Sequence, residues 1–248
     1  DASPAAERVR AAALSAKGDT AGAFAALQRG AASRGDPLLL RDYARFLIAA
    51  QDLDAASRQV EALSRLPAGK FDAALIAADI AVRRGQFAEA HAVLEQMAAK
   101  YPRVPDPWLA RANAFDLQGK LDDALAMTSR AAAVAPDDPR VRDLQVQFAS
   151  MKGEWDKVRS LLARQERDID PLSANGLSYA EAMLRTGHPE QARAMFQRAL
   201  TRSPNNPFAR IMLAEAQLAT GDSLAAFGTV KPLAASQLAG PRELELAV

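Results

Sequence analysis

The side chains that most often carry chemistry are rare in this chain of 248 residues. It has two histidines, His91 and His188, and no cysteine. Zinc sites and nucleophilic dyads need a second histidine, a thiolate or an ordered carboxylate beside the first group. Neither histidine has such a neighbour in the sequence, so we expect both to be solvated surface residues.

Aspartates occur in pairs, but their spacing suits helix starts rather than catalysis. Asp122 and Asp123 begin a predicted helix, where carboxylates interact favourably with free amides and with the helix dipole. Asp168 and Asp170 lack the glycine and the later glutamate of a calcium loop. The chain also has no glycine-rich phosphate loop, nucleophile elbow or metalloprotease motif. We therefore predict a protein that is not an enzyme and that has no cofactor and no metal site.

Composition excludes several further classes of protein. Charged residues make up 25% of the chain and leave a net charge of +1, so the strong basic excess of a nucleic-acid-binding protein is missing. Basic and acidic residues are balanced, 31 against 30, so the acidic composition typical of many disordered chains is missing as well. No run approaches the roughly 20 consecutive apolar residues of a transmembrane helix. We expect partners that are proteins or peptide segments, and no nucleic acid.

A repeat of 34 residues predicts the helices that would carry a binding surface. Five glycines follow one another at this step: Gly85, Gly119, Gly153, Gly187 and Gly221. Gln51 falls in phase one step earlier, and Gly18 precedes it by 33 residues. Two further series hold alanine at twelve of fourteen positions: Ala11, Ala44, Ala78, Ala112, Val146, Ala180 and Ala214, then Ala23, Ala56, Ala90, Ala124, Val158, Ala192 and Ala226. Such small side chains let two helices approach closely where they cross.

Each unit also carries turn signals at its end. Segments with proline close the units, as at Ala135–Pro139 and Ser203–Pro207, and proline both disfavours helix in the preceding residue and suits the first turn of the next helix. The pattern therefore predicts helix A, a glycine turn, helix B and a proline turn in each unit. Helix A of the fourth unit is predicted over Pro107–Phe115 and helix B of the sixth over Glu190–Leu200.

This pattern resembles the tetratricopeptide repeat (TPR) family in repeat length, helix number and marker positions. The fourth unit carries the family's markers most fully: Trp108, Ala112 and Phe115 in helix A, Gly119 at the turn, Ala124 and Ala131 in helix B, and Pro136 at the end. The resemblance covers essentially the whole chain. It implies an all-α fold, a right-handed α-solenoid of helix-turn-helix units, and a binding protein rather than an enzyme.

The family's frame divides the chain into a leader of residues 1–3, a solenoid over 4–240 and a remainder of 241–248. The seven predicted units are 4–36, 37–70, 71–104, 105–138, 139–172, 173–206 and 207–240. The remainder is predicted to start an eighth helix A rather than a polar cap, so we expect the natural protein to continue beyond Val248. A short helical lid formed by a native terminus is the alternative.

The fifth unit breaks the small-residue rule in both series, with Val146 and Val158. Larger side chains at a crossing push helices apart. We therefore predict that this unit is the loosest part of the solenoid. The alternative is that small shifts absorb the two valines.

The resemblance also implies where partners bind. In TPR proteins the second, fifth, ninth and twelfth positions of helix A point into a concave groove, and these spacings form one stripe on the helix. The candidate partner-binding residues on this stripe are Arg41, Arg45, Asp72, Asp79, Asn113, Asp116, Leu177, Leu184, Phe208, Ile211 and Leu218. We call this set of positions the helix-A stripe.

The stripe changes character along the chain. It is basic at its N-terminal end, where Arg8 joins Arg41 and Arg45, acidic in the third and fourth units, and apolar in the sixth and seventh. A large apolar patch usually marks a partner site; the alternatives are that further chain covers the patch and that the charges are merely solvated. The family's clamp for a C-terminal carboxylate is not expected, because Arg45 and Ile76 stand where the clamp has asparagine.

Alanine-rich TPR arrays with more arginine than lysine resemble bacterial envelope TPR lipoproteins and the periplasmic TPR arms of exopolysaccharide export or pilus assembly. The segment Ser3–Arg8 is similar to the stretch that follows the lipidated cysteine of such lipoproteins, which implies an upstream lipid anchor as the only contact with a membrane. The resemblance implies a periplasmic or envelope-associated scaffold. The alternative is a cytoplasmic adaptor or regulatory module of a larger enzyme or complex, and no oligomeric state is implied.

Overall fold

The computed structural model describes residues 3–32 and 35–234. In these ranges the chain forms fourteen α-helices and no strand, which confirms the predicted all-α class. The helices are α1 (Pro4–Ala16), α2 (Thr20–Ala31), α3 (Pro37–Ala49), α4 (Leu53–Ser64), α5 (Lys70–Arg83), α6 (Phe87–Lys100), α7 (Asp106–Leu117), α8 (Leu121–Val134), α9 (Pro139–Lys152), α10 (Trp155–Leu162), α11 (Ala174–Arg185), α12 (Pro189–Arg202), α13 (Pro207–Ala219) and α14 (Ser223–Ala234).

Consecutive helices alternate as helix A and helix B along the predicted frame. The odd-numbered helices occupy the helix-A positions and the even-numbered helices the helix-B positions. Helix α7 contains the predicted segment Pro107–Phe115, and α12 contains Glu190–Leu200. The predicted start of an eighth helix A, at 241–248, lies outside the described residues.

Helix A often begins with an acidic or amide side chain followed by proline. The Asp36 carboxylate accepts hydrogen bonds from the backbone N–H groups of Leu38 and Leu39, at 2.9 and 3.1 Å. Asn206 accepts one from Ala209 in the same way, at 3.0 Å. These side chains satisfy amides that have no partner inside the helix, and the following proline fixes the helical φ without losing a hydrogen bond. Local sequence therefore sets where these helices start.

Each glycine turn uses the left-handed backbone conformation. The six glycines of the series have φ between 70° and 81°, and Gln51 has φ 63° at the seventh position. At Gly119 the backbone N–H donates to Asp116 O, and the N–H of Lys120 donates to Phe115 O, at 2.8 and 2.9 Å. This pair of bonds closes the end of helix A, and glycine allows it because no Cβ opposes a positive φ.

The two small-residue series lie at buried positions throughout. All fourteen residues are at most 3% exposed, including Val146 at 1% and Val158 at 0%. Helix α10 has eight residues and passes into a 3-10 turn at Ala163–Gln165, whereas the other helices of the B positions have twelve to fourteen. The fifth unit therefore differs from the others in helix length as well as in sequence. Its predicted looseness stays a prediction.

The repeat units group into two larger compact units. We call these the N-terminal unit, which extends to Ala135, and the C-terminal unit, which begins at Pro136. Leu39, Leu40 and Leu63 belong to the core of the N-terminal unit, and Leu162 and Phe196 to that of the C-terminal unit. Within the described ranges, none of the helices combines the length and the apolarity that a membrane crossing requires.

One buried charge helps to join the first two helices. Glu7 is 1% exposed, and its carboxylate accepts hydrogen bonds from Arg10 at 2.8 Å and from Arg29 of α2 at 2.9 Å. A buried carboxylate is tolerated when it is paired and hydrogen-bonded in this way. The Cβ of Glu7 also lies 3.1 Å from where a Cβ on Gly30 would stand, so α2 packs closely here because residue 30 is glycine.

Candidate functional site

Three cavities lie along the helix-A stripe. Each is lined by the fifth, ninth and twelfth residues of one helix A, counted on the predicted frame. Two of them lie in the N-terminal unit and one in the C-terminal unit. We call them the N-terminal, middle and C-terminal cavities and define each by its lining below.

The N-terminal cavity has a volume of about 320 Å³ and lies between α1 and α3. Its lining consists of Arg8, Ala11, Ala12 and Ser15 from α1, Leu27 from α2, and Asp42, Arg45 and Phe46 from α3. The predicted candidate Arg45 is therefore part of a cavity together with Arg8.

Arg41 is a predicted candidate that lies outside this lining. Its guanidinium donates to the Asp42 carboxylate, with Nε 3.0 Å from Oδ1, and its Nη1 lies 4.0 Å from Oδ2 of Asp72. The charge of Arg41 is therefore compensated by two carboxylates, those of Asp42 and Asp72. Asp72 is itself a predicted candidate. Such partly exposed ion pairs contribute little stability, and they leave Arg41 less available to a ligand than Arg45.

The middle cavity has a volume of about 190 Å³. Its lining consists of Leu75, Ala78, Asp79 and Val82 from α5, Leu94 from α6, and Ala110, Asn113, Ala114 and Leu117 from α7. Asp79 and Asn113 are its polar side chains, and Asp79 accepts a hydrogen bond from Arg83 at 3.1 Å. The predicted candidates Asp79 and Asn113 thus meet at one mostly apolar cavity. Asp116 is half-buried and is not among the lining residues.

The C-terminal cavity is the largest of the three, at about 490 Å³, and its lining is mainly polar side chains. It is formed by Asp143, Val146, Gln147 and Ser150 from α9, and by Ser173, Ala174, Asn175 and Ser178 at the start of α11. The Asn175 amide donates to the Asp143 carboxylate at 2.7 Å. The Ser150 Oγ is buried and forms no hydrogen bond within the described part of the chain.

The family's frame predicts that Asp143, Gln147 and Ser150 point into the groove, but no lining residue of the C-terminal cavity is among the predicted partner-binding candidates. The predicted candidates are mostly charged or apolar side chains of other repeat units, whereas Gln147 and Ser150 are neutral and polar. The signal that identifies them is the frame itself, since Asp143, Gln147 and Ser150 occupy the same three positions as the lining residues of the other cavities.

The predicted apolar patch of the C-terminal unit is less continuous than its sequence suggests. Leu177 and Leu184 are half-buried and pack against the core of that unit. Ile211 is half-buried, while Phe208 and Leu218 are 37% and 42% exposed. Much of the predicted apolar patch therefore packs within the C-terminal unit, and only two of these five candidates are exposed.

Charged side chains also interrupt the apolar patch. The Arg185 guanidinium lies 3.3 Å from a carboxylate oxygen of Glu181 on its own helix and 3.3 Å from one of Glu215 on α13. Both carboxylates occupy the ninth position of a helix A, between the apolar fifth and twelfth positions. The accessible surface there is thus amphipathic.

The prediction that both histidines are solvated surface residues is wrong. The His91 ring stacks on Phe115 of α7, with centroids 4.0 Å apart, and its Nε2 accepts a hydrogen bond from the Gln118 amide at 2.9 Å. His188 Nε2 accepts one from Arg159 at 2.8 Å. Both histidines are half-buried because helices from successive units pack side by side, which the local sequence does not show.

Burial also affects the chemistry of His91. Desolvation first, and then the nearby charges of Arg111 and Lys120, lower the pKa of His91 below its ordinary value of 6.5. Asp123 and Glu95 act in the opposite direction but more weakly. Across the described residues, no three histidine, aspartate or glutamate side chains are grouped as metal ligands. Its stacking on Phe115 makes His91 a packed residue of the α6–α7 contact.

Comparison with known proteins gives the same class as the repeat. Three models of the tetratricopeptide repeat family match residues 81–148, 173–216 and 207–226. A search of curated proteins by sequence finds no match. The structure is similar to that of a tetratricopeptide repeat protein from Parabacteroides merdae, with a TM-score of 0.54 and 16% identity over 98% of this chain and 97% of that one.

Two further solved structures share the fold. Yeast Tom70 is similar over 91% of this chain and 48% of its own, with a TM-score of 0.59 and 16% identity. YrrB, described as a TPR protein with an unusual peptide-binding site, is similar over 74% of this chain and 95% of its own, with a TM-score of 0.50 and 17% identity. The repeat, the helices and these matches together make this chain a tetratricopeptide repeat protein, an all-α solenoid of helical repeats.

Proposed function

We propose that this protein is a non-enzymatic scaffold that binds extended segments of partner proteins along the helix-A stripe. The observation that carries the proposal is the repeated use of the fifth, ninth and twelfth positions of helix A as cavity lining. Small cavities at these positions suit a peptide, because its side chains can enter them while its backbone lies across the helices. The peptide-binding site named for YrrB, which shares the fold, supports the same proposal.

The experiment that tests this proposal is site-specific photo-crosslinking in cells that make the natural protein. A photoreactive amino acid replaces Asn113 or Gln147 on the helix-A stripe, or Ala126 or Gln197 on helices of the B positions. All four side chains are exposed, so accessibility is matched. The two stripe positions are expected to give discrete adducts with shared partner proteins. Adducts formed at Ala126 and Gln197 but not at the stripe would contradict the proposal.

The finer proposal concerns the cellular setting. We propose a role in bacterial envelope secretion or assembly, with a periplasmic or envelope-associated protein. Its support is the resemblance of this alanine-rich, arginine-over-lysine repeat array to envelope TPR proteins. Fractionation of the natural host tests it: recovery with periplasmic or membrane markers is expected, and recovery with cytosolic markers would favour the cytoplasmic adaptor instead.

A further inference from the structure

We infer that the N-terminal cavity recognises a side-chain carboxylate, from an aspartate or glutamate within an extended segment of a partner protein. This inference rests on the proposed function and specifies the ligand chemistry of one of its cavities. It starts from the two arginines of the lining, Arg8 on α1 and Arg45 on α3.

These two arginines differ from the other arginines of the helix-A stripe in having no carboxylate partner. Arg41 is paired with Asp42 and Asp72, and Arg140 with Asp138. Within the ranges that the structure describes, neither Arg8 nor Arg45 forms an ion pair, although both line the same cavity. Two guanidinium groups facing one space repel each other, and an anion placed between them would remove that repulsion.

The carboxylate within the lining does not neutralise the two arginines. Asp42 receives the Nε of Arg41 at 3.0 Å and its Nη2 at 2.9 Å, so Arg41 compensates its charge. The cavity therefore keeps an excess of positive charge contributed by Arg8 and Arg45. Guanidinium groups bind carboxylates with two parallel hydrogen bonds, which suits a planar anion better than a spherical one.

The walls of the cavity favour a protein segment as the source of the carboxylate. Ala11, Ala12, Leu27 and Phe46 form an apolar surface beside the two arginines, so a bulky apolar residue next to the acidic one would also be buried. A long polyanion such as a nucleic acid fits poorly, because the negative charge of Asp79, on the helix-A stripe of the same compact unit, would repel it. The sequence pattern of a clamp for C-terminal carboxylates is absent, so the acidic group is an internal side chain.

The inference is tested with arrays of random dodecapeptides fixed by their C-termini, so that no terminal carboxylate is present. Each peptide that contains an acidic residue next to leucine or phenylalanine is printed beside a twin in which Asp or Glu becomes Asn or Gln. The probe is the full chain, fluorescently labelled. Acidic peptides are expected to retain at least fivefold more protein than their neutral twins, and this ratio is expected to shrink as salt rises.

The variants assign the preference to the cavity. The double variant Arg8→Gln/Arg45→Gln is expected to bring the ratio close to one. The control Arg58→Gln/Arg198→Gln removes two exposed arginines of helices α4 and α12 and is expected to keep the ratio. The single variant Arg45→Glu provides a second test and is expected to reduce retention of acidic peptides below that of their twins. Circular dichroism melting curves verify that each variant is folded.

The outcomes separate this inference from the proposed function. Equal retention of acidic and neutral twins would overturn the inference while leaving peptide binding intact. So would an acidic preference that persists in Arg8→Gln/Arg45→Gln. A preference seen only on a second array with free C-termini would assign terminal carboxylates instead, which also overturns it. If no peptide of either array is retained, the proposed function fails as well.

Discussion

Gln51 shows at the scale of one residue how strongly the repeat sets the backbone. It is the one described residue other than glycine with a positive φ, at 63°, and it stands where six other units have glycine. A side chain in the left-handed region costs on the order of 1 kcal/mol because the Cβ approaches the backbone. The repeat thus keeps its turn at this position in spite of the residue that it contains.

Replacing Gln51 by glycine is expected to raise the free energy of unfolding by about 1 kcal/mol, since the strain at positive φ is removed. Urea unfolding followed by circular dichroism measures this change. Gln59→Gly, inside helix α4, is the matched control and is expected to lower stability by about 1 kcal/mol. A loss of stability in Gln51→Gly would contradict the assignment of strain.

His91 is the residue whose protonation is coupled to packing. Its folded-state pKa is lowered by burial and by Arg111, so the unfolded state binds a proton more readily at pH values just below 6.5. Its contribution to stability is therefore fully present above pH 6.5 and is lost as the pH falls through that value towards the lowered pKa. Because its Nδ1 is buried without a hydrogen-bond partner among the described residues, the protonated ring finds no compensating acceptor there.

NMR titration of the His91 ring is expected to give a midpoint below 6.5. The variant His91→Gln is expected to lose less stability than the natural chain between pH 7 and pH 5.5, because it lacks this proton linkage. Comparing the two chains at each pH cancels the contribution of the carboxylates. A ring midpoint at or above 6.5 would show that burial does not control the protonation of His91.

At the scale of helices, the buried alanines set how closely paired helices approach. Ala124 is 0% exposed on α8, whereas Ala126 on the same helix faces solvent. Ala124→Leu is expected to lower the free energy of unfolding by about 3 kcal/mol, because the larger side chain forces the helices apart. Ala126→Leu serves as the control and is expected to change it by less than about 0.5 kcal/mol. Equal effects in chemical unfolding would contradict the packing role.

The fifth unit is the place where helix packing departs from the common pattern. Helix α10 has eight residues and ends in a 3-10 turn, and valines replace alanine at both small positions. Short helices depend more on neighbours for stability and open more often. Hydrogen exchange is expected to be faster in the amides of α10 than in those of α12 in the same compact unit. Equal protection of the two helices would favour the alternative that small shifts absorb the valines.

The sequence predicts helices and turns better than it predicts contacts between side chains. The period of 34 places the Gly119 turn and the buried Ala124, because backbone conformation and helix crossing distance depend on local residue type. The contact between Glu7 and Arg29 and the stacking of His91 on Phe115 join residues more than twenty positions apart. Such contacts depend on how helices lie side by side and on rotamers, which no short motif encodes.

In the candidate site, too, the repeat frame predicts positions better than the sequence predicts side-chain contacts. The frame places Arg45, Asp79 and Asn113 on one stripe, and each of them lines a cavity. Side-chain character alone is a weaker guide, since the apolar Leu177 and Leu184 pack into the core and the polar Gln147 lines the largest of the three cavities. An apolar side chain on the stripe can pack into the core instead of facing a cavity. The position of a residue on the repeat frame therefore predicts cavity lining better than its side-chain type does.

At the scale of the whole chain, the balanced charge is consistent with recognition by local cavities. A net charge of +1 provides no long-range attraction for a polyanion or a polycation. The proposed binding therefore relies on short-range complementarity at each cavity. The linings differ: the N-terminal cavity has arginines, the middle cavity is mostly apolar and the C-terminal cavity has mainly polar side chains.

The affinity of peptides selected by the natural chain from a phage-displayed random library tests the central claim most directly. Asn113→Arg and Gln147→Arg place a large cation at cavities of the helix-A stripe, and Ala126→Arg and Gln197→Arg place it at exposed sites on helices of the B positions. Each selected peptide is expected to lose at least tenfold in affinity with one or both stripe variants and less than twofold with either control. Peptides that bind the stripe variants unchanged but lose affinity with Ala126→Arg or Gln197→Arg would contradict binding along the helix-A stripe.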